Sequence, residues 1–173
     1  MTKLKLDGHI NPTWTKADLE AVNFLFDQAD DEFTRTHADA GHNPESFGLF
    51  AHTTGDYGLI PRWANDVKKQ FALRKTVPVI QKFTPGKYLP IHRDYYENYI
   101  KLNGIKKTDK IYRIIIFLED WQPGHILDIN GTIYNSWRAG DYVGFYYDTP
   151  HAAYNLGITD RYTLVITGIA DSK

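Results

Sequence analysis

His92-Arg93-Asp94 sets an imidazole and a carboxylate two residues apart. In an extended segment, residues i and i+2 point to the same side, so both groups can reach one metal ion. His151 lies in a second segment of β character and supplies a candidate third ligand. Two imidazoles and one carboxylate on one face of an octahedron hold iron(II) and other divalent ions while leaving positions open for ligands. The pair alone is a weak signal, because a surface His followed by a turn Asp has the same spelling and seven histidines offer many partners. The surroundings add to it. Arg161 follows His151 by ten residues, at the start of the last apolar run, and Thr163 stands two further on, on the same face. A guanidinium binds a carboxylate through two parallel hydrogen bonds, and a neighbouring hydroxyl can add a third. The plainer readings are an ion pair of Arg161 with Asp160 and ordinary β propensity for Thr163.

These residues need a scaffold of strands. Val77–Phe83 reads as a strand ending at Pro85-Gly86, and Tyr88–His92 as a second extended segment. Tyr112–Leu118, with three consecutive isoleucines, is the clearest strand of the chain. Ile126–Ile129 and Thr132–Trp137 flank Asn130-Gly131, a hairpin signal. Tyr142–Tyr147, His151–Asn155 and Tyr162–Ile169 complete the set. Before them, Thr15 as N-cap with Asp18 three residues on predicts a helix over 16–33, its apolar face formed by Leu19, Val22, Phe26 and Ala29. Residues 34–56 read as loop. A second helix is expected from Pro61 to about Leu73, with Trp63, Val67, Phe71 and Ala72 toward the core. Two helices followed by seven or eight short strands predict a mainly β barrel or sandwich with two flanking N-terminal helices. Residues 1–173 are expected to form a single domain, 1–74 a helical flank and loop and 75–173 the β core.

Composition narrows the chemistry. With no cysteine, thiolate zinc sites, disulfides and Cys nucleophiles are excluded, so a metal must be held by His, Asp or Glu. Twenty Lys and Arg against 21 Asp and Glu give a net charge of -1, which predicts neither a nucleic-acid nor a membrane partner. Neither a signal peptide nor a membrane-length apolar run is visible, so a cytoplasmic, intracellular location is expected. His37 and His42 lie five apart in a polar stretch and read as solvated loop rather than a second metal site. Glu97 would face away from Asp94 if the strand continued.

Taken together, the segment Gln81–Asp94, the strand Arg113–Leu118, the stretch Ala139-Gly140-Asp141 to Pro150-His151, and Arg161-Tyr162-Thr163-Leu164 resemble the iron(II)/2-oxoglutarate oxygenase superfamily on its prolyl-hydroxylase side. The likeness covers roughly residues 77–169. It implies a double-stranded β-helix (jelly-roll) barrel of two facing four-stranded sheets. It implies iron(II) held by His92, Asp94 and His151 as the catalytic centre, and 2-oxoglutarate anchored by Arg161 and Thr163. It also implies dioxygen as cosubstrate, and hydroxylation of a C–H bond of a peptide side chain or small molecule with release of succinate and carbon dioxide. Residues 95–110 would be a lid with Tyr95, Tyr96 and Tyr99 as contacts, Arg93 would point away from the metal, and Arg113 would meet an acidic substrate group or form a surface ion pair.

The pattern departs from that family where Phe83 and Leu89 stand at positions often held by tyrosine, and where Gln122-Pro123-Gly124-His125 replaces a Gly-Gly-Glu-Thr-like stretch. Gly140 to His151, with Asn155 four residues on, also looks like the second motif of a cupin. The main alternative is thus a cupin-type metal-dependent enzyme or small-molecule binder without 2-oxoglutarate. Cupins usually carry a second His where this chain has Asp94, and need no arginine at 161. A barrel that binds a protein partner and a nucleic-acid demethylase are further alternatives, the latter disfavoured by the near-neutral charge.

Overall fold

The computed structural model describes residues 7–27, 31–52, 60–106 and 109–170. In chain order these form β1 (Gly8–His9), α1 (Lys16–Glu20), β2 (Leu25–Asp27), α2 (Asp31–Asp39), a 3-10 turn (Pro44–Ser46), β3 (Leu49–His52), α3 (Arg62–Lys68), β4 (Leu73–Phe83), β5 (Tyr88–His92), α4 (Glu97–Asn103), β6 (Lys110–Phe117), β7 (His125–Ile129), β8 (Thr132–Tyr134), β9 (Asp141–Tyr146), β10 (His151–Asn155) and β11 (Arg161–Ala170). A seven-stranded sheet runs β1-β9-β6-β11-β4-β3-β2, and a four-stranded sheet runs β5-β10-β7-β8. From β4 onward the chain passes back and forth between the two sheets, and the ladders are antiparallel. This is a double-stranded β-helix.

The larger sheet is wider than the expected four strands because β1, β2 and β3 extend its edges. Phe50 pairs with Lys82 and Ala51 with Gln81, so β3 covers a β4 edge that would otherwise present unpaired backbone. The expected helix over 16–33 is likewise broken. Thr15 and Asp18 do form the capping box, but α1 stops at Glu20. Leu25–Asp27 pairs with β3 instead, and Phe26 meets Phe50 edge-on at 5.2 Å. Cross-strand pairing outweighs a helical periodicity that rested on four apolar residues, one of which, Ala29, lies outside the described residues. Residues 34–52, expected as loop, hold the end of α2, the 3-10 turn and β3. The helix expected over 61–73 ends at Lys68; Ala64 and Val67 are buried, whereas Ala72 is exposed and belongs to no helix.

Strand alternation sorts the strand side chains onto two faces. Ile80, Ile114, Ile116, Leu164 and Ile166 face outward, under Trp14, Leu19, Ala64 and Val67. Trp14 is fixed there by an Nε1–H donated to the Leu118 carbonyl at 2.7 Å. Ile115, Phe117, Val143, Phe145 and Val165 face the smaller sheet and pack on Leu127 and Ile129. The inward set of β6 and β11 therefore also contains Arg113, Arg161, Thr163 and Thr167, all buried. Among the described residues no helix is long and apolar enough to cross a membrane.

Candidate functional site

Three segments of the smaller-sheet side bring the predicted ligands together. His151, the first residue of β10, is the cross-strand partner of His92, the last residue of β5. Asp94 lies just past the end of β5 and turns back to the same point. One ligand atom from each of His92, Asp94 and His151 lies within 4.8 Å of the other two. Oδ1 of Asp94 is 3.6 Å from Nε2 of His92, and Oδ2 is 3.6 Å from Nε2 of His151.

The orientation of the imidazoles follows from the backbone. Nδ1 of His92 contacts the Pro90 carbonyl at 2.8 Å, and Nδ1 of His151 contacts the Thr149 carbonyl at 2.9 Å. A carbonyl only accepts, so each Nδ1 carries a proton and Nε2 is the ring atom left to face the site. A second hydrogen bond that fixes the tautomer is what metal-ligating histidines usually have. Arg93 points away, as expected, and donates to the Asp148 carbonyl, tying the loop before His151 to the end of β5.

The trio converges on a cation. Nη1 of Arg113 donates to Oδ2 of Asp94 and lies 3.2 Å from Nε2 of His151. Arg113 is 8% exposed, so this is a buried pair and not a surface one. Burial raises the Asp94 carboxyl, yet Arg113 and the two histidines outweigh it and hold the group well below the usual carboxylate range. Burial, then the Arg113 charge, push the His151 imidazole down to about 4, leaving it neutral at physiological pH. Two lone pairs and a carboxylate around a positive group are a donor set that fits a divalent metal ion. These residues can therefore hold one.

Arg161 and Thr163 lie in the same barrel interior but not in the cluster. β11 places Thr167 opposite Arg113, with its hydroxyl on the Tyr96 hydroxyl at 3.1 Å. Arg161 sits six residues away at the other end, opposite Phe83, and Thr163 stands between. The Arg161 guanidinium lies over the rings of Phe83 and Trp137, at 5.4 and 5.7 Å. Its Nε has no hydrogen-bond partner, and no ion pair joins it to a carboxylate among the described residues. The pairing with Asp160 considered from sequence does not form. Burial lowers its pKa to about 10, against the pull of Glu119. Burial also raises Glu119 to about 7, despite the Tyr162 N–H that it accepts at 3.0 Å.

Of the candidate lid, Tyr95 is exposed, Tyr99 is buried and donates to the Lys75 carbonyl, and Tyr96 reaches the site. Tyr96 holds a left-handed backbone (φ 53°) where β5 gives way to α4, and this turns its ring inward. Sequence reasoning named Tyr96 only as a lid contact and left Arg113 undecided. Counting back by twos from Phe117 along β6 places Arg113 on the inner face, a signal present in the sequence. His37 bonds the Phe33 and Ile91 carbonyls, and His42 lies 3.4 Å from the Tyr88 hydroxyl, so both are parts of an aromatic cluster over β5 rather than of a metal site. His125 and Asn155 are buried and bond the Thr159 carbonyl.

No protein-family model matches the chain, and no curated protein matches it. Solved structures to which the chain is similar in fold include cupin barrels. The cupin domain of a Schizosaccharomyces pombe protein is 9% identical, with a TM-score of 0.46, over 88% of this chain and 72% of that one. A Thermotoga maritima protein described as a predicted oxalate decarboxylase is 17% identical, with a TM-score of 0.43, over 71% and 82%. A cupin barrel protein of Salinispora arenicola is 15% identical, with a TM-score of 0.41, over 69% and 75%. These are likenesses of fold. The strands and the His-Asp-His cluster define the class as a double-stranded β-helix with a candidate metal centre.

Proposed function

We propose that the protein is an iron(II)- and 2-oxoglutarate-dependent oxygenase that hydroxylates a C–H bond of a peptide side chain or small molecule, releasing succinate and carbon dioxide. The observation that carries this reading is Arg161, a buried cation in the same barrel as the trio, whose Nε has no hydrogen-bond partner and which no carboxylate among the described residues meets at ion-pair distance, Glu119 acting on it only from further off. A buried charge is costly unless an anion meets it. Arg161 stands six residues along β11 from Thr167, at the end of the barrel away from the trio, a position suited to the far carboxylate of a dicarboxylate bound at the metal.

In this reading His92, Asp94 and His151 hold the metal, their geometry set by the β5–β10 register and the two Nδ1 bonds. Bound iron(II) with 2-oxoglutarate and dioxygen supplies the oxidising chemistry. Arg161 binds the far carboxylate of 2-oxoglutarate, and Thr163 offers a hydroxyl beside it. Phe83, Phe117 and Trp137 keep water from that end, which strengthens the charge pairing there. Tyr96 closes the side of the metal trio.

The competing reading is a cupin-type metal enzyme or binder that does not use 2-oxoglutarate; the Arg113 cation beside the trio favours it, since a small anion could be held at the metal without Arg161. An anaerobic titration with iron(II) and then 2-oxoglutarate separates the two. A visible charge-transfer band, lost or weakened in His151→Ala and in Arg161→Ala, is the expected result. Metal binding without a band, unchanged by Arg161→Ala, would put the cupin reading first.

A further inference from the structure

Arg113 has partners that a metal ion takes away. Its Nη1 donates to Oδ2 of Asp94 and approaches Nε2 of His151, the same atoms that face the candidate metal position. A nitrogen lone pair cannot accept from a guanidinium and bind a metal at the same time. Loading the site therefore frees donors on Arg113. Its Nε is already buried without a partner. Arg113 stays charged, because a guanidinium is not deprotonated in proteins.

The charges of the loaded site are then unbalanced. A divalent ion with one carboxylate leaves one positive charge, and Arg113 adds a second. A dianionic 2-oxoglutarate brings two negative charges, and Arg161, at its far end, one positive. Glu119 acts on charge only at the Arg161 end; at the trio's end the metal is balanced by Asp94 and the near carboxylate of 2-oxoglutarate, and the positive charge left over is that of Arg113. Around it stand the Tyr96 hydroxyl, fixed by Thr167, and the Phe145 ring, 5.0 Å from that of His151.

We infer that the substrate carries a carboxylate, and that Arg113, assisted by the Tyr96 hydroxyl, receives it next to the metal. A single leftover charge matches a carboxylate better than a phosphate, and a planar carboxylate fits the guanidinium fork. Arg113 is then a specificity-determining residue of the site proposed above, and the inference rests on that reading.

The test uses protein loaded with redox-inert manganese(II) and 2-oxoglutarate, and reads binding by calorimetry and by water-proton relaxation. The probes are N-acetylglycine and its neutral amide. N-acetylglycine should bind at least tenfold more tightly than the amide, and Arg113→Gln should erase that preference while manganese affinity holds or rises, because a competitor for Asp94 and His151 is gone. Arg113→Lys, which keeps the charge and loses the fork, should retain part of the preference and serves if Arg113→Gln does not fold. Equal binding of both probes by the wild type, a preference unchanged in Arg113→Gln, or loss of manganese binding in both variants would overturn the inference; the last would make the guanidinium a strut for the trio. Failure of 2-oxoglutarate to bind, with the carboxylate preference intact on manganese alone, would instead sink the oxygenase reading and leave the assignment of Arg113 standing.

Discussion

His92 and His151 are direct partners across the β5–β10 ladder, with ring centroids 4.3 Å apart. Backbone pairing, not side-chain flexibility, thus sets the distance between the two imidazoles. The third ligand, Asp94, is held by the Arg113 guanidinium, so metal-free protein depends on that ion pair.

Removing one partner of a buried pair leaves the other charge uncompensated. Asp94→Ala should lower the stability of the metal-free protein by about 3–5 kcal/mol, read as a shift of the urea midpoint with unchanged slope. The double variant Asp94→Ala/Arg113→Met should recover most of that loss. A loss below ~1 kcal/mol in the single variant would mean that the pair is solvent-screened.

Phe117 stacks on Trp137 with centroids 4.0 Å apart, and Trp137 in turn lies against Arg161. Phe117→Ala should cost about 3–5 kcal/mol through the cavity that it leaves. It should also weaken 2-oxoglutarate binding, if that ligand is held by Arg161, by loosening the wall behind the guanidinium. Chemical denaturation and a ligand titration check the two effects separately.

Burial raises Glu119 to about 7 from an ordinary 4.5. Between those values the folded chain holds a proton that the unfolded chain has released. Stability therefore falls as pH rises from 4.5 to 7, the reverse of a salt-bridged carboxylate. Because Glu119 is partly exposed, the expected loss is only about 1–2 kcal/mol. His151, held down at about 4, contributes in the opposite direction over the same range, so the readout is the difference between wild type and Glu119→Gln: the wild type's advantage in denaturation midpoint should shrink as pH rises from 4.5 to 7.

Asn155 is fully buried; its Nδ2 donates to the Phe83 and Thr159 carbonyls at 2.7 and 2.8 Å, and its Oδ1 accepts the Gly157 N–H at 3.1 Å. Asn155→Ala should cost about 2–4 kcal/mol, since it leaves buried backbone groups unpaired. Amide exchange should speed up first in β4 near Phe83, a site-specific readout of the lost tie.

The sequence made the barrel legible where β-branched residues run together. Ile114-Ile115-Ile116 and the stretch from Leu164 to Ile166 announce central strands, and Asn130-Gly131 closes its hairpin with both residues at positive φ. The trio was legible because His92 and Asp94 are close in sequence and His151 opens a strand. What escaped depends on partners distant in the chain. β1 is two residues long and is defined only by pairing with β9. β2 exists because β3 lies beside it. Phe24, Leu25 and Phe26 do not distinguish by period alone a helical face from a strand edge. Arg113 escaped for a different reason: its role comes from the inward parity of β6 together with a loop carboxylate 19 residues away.

The ligands of the candidate metal centre all come from the β5–β10 side, whereas Arg113, Arg161, Thr163 and Thr167 project from β6 and β11 of the opposite sheet. The barrel thus divides labour between its walls. Substitutions on β6 and β11 can change which anions are accepted without disturbing the register that spaces the two imidazoles. Redesign of selectivity should accordingly begin on that wall and leave the β5–β10 ladder untouched.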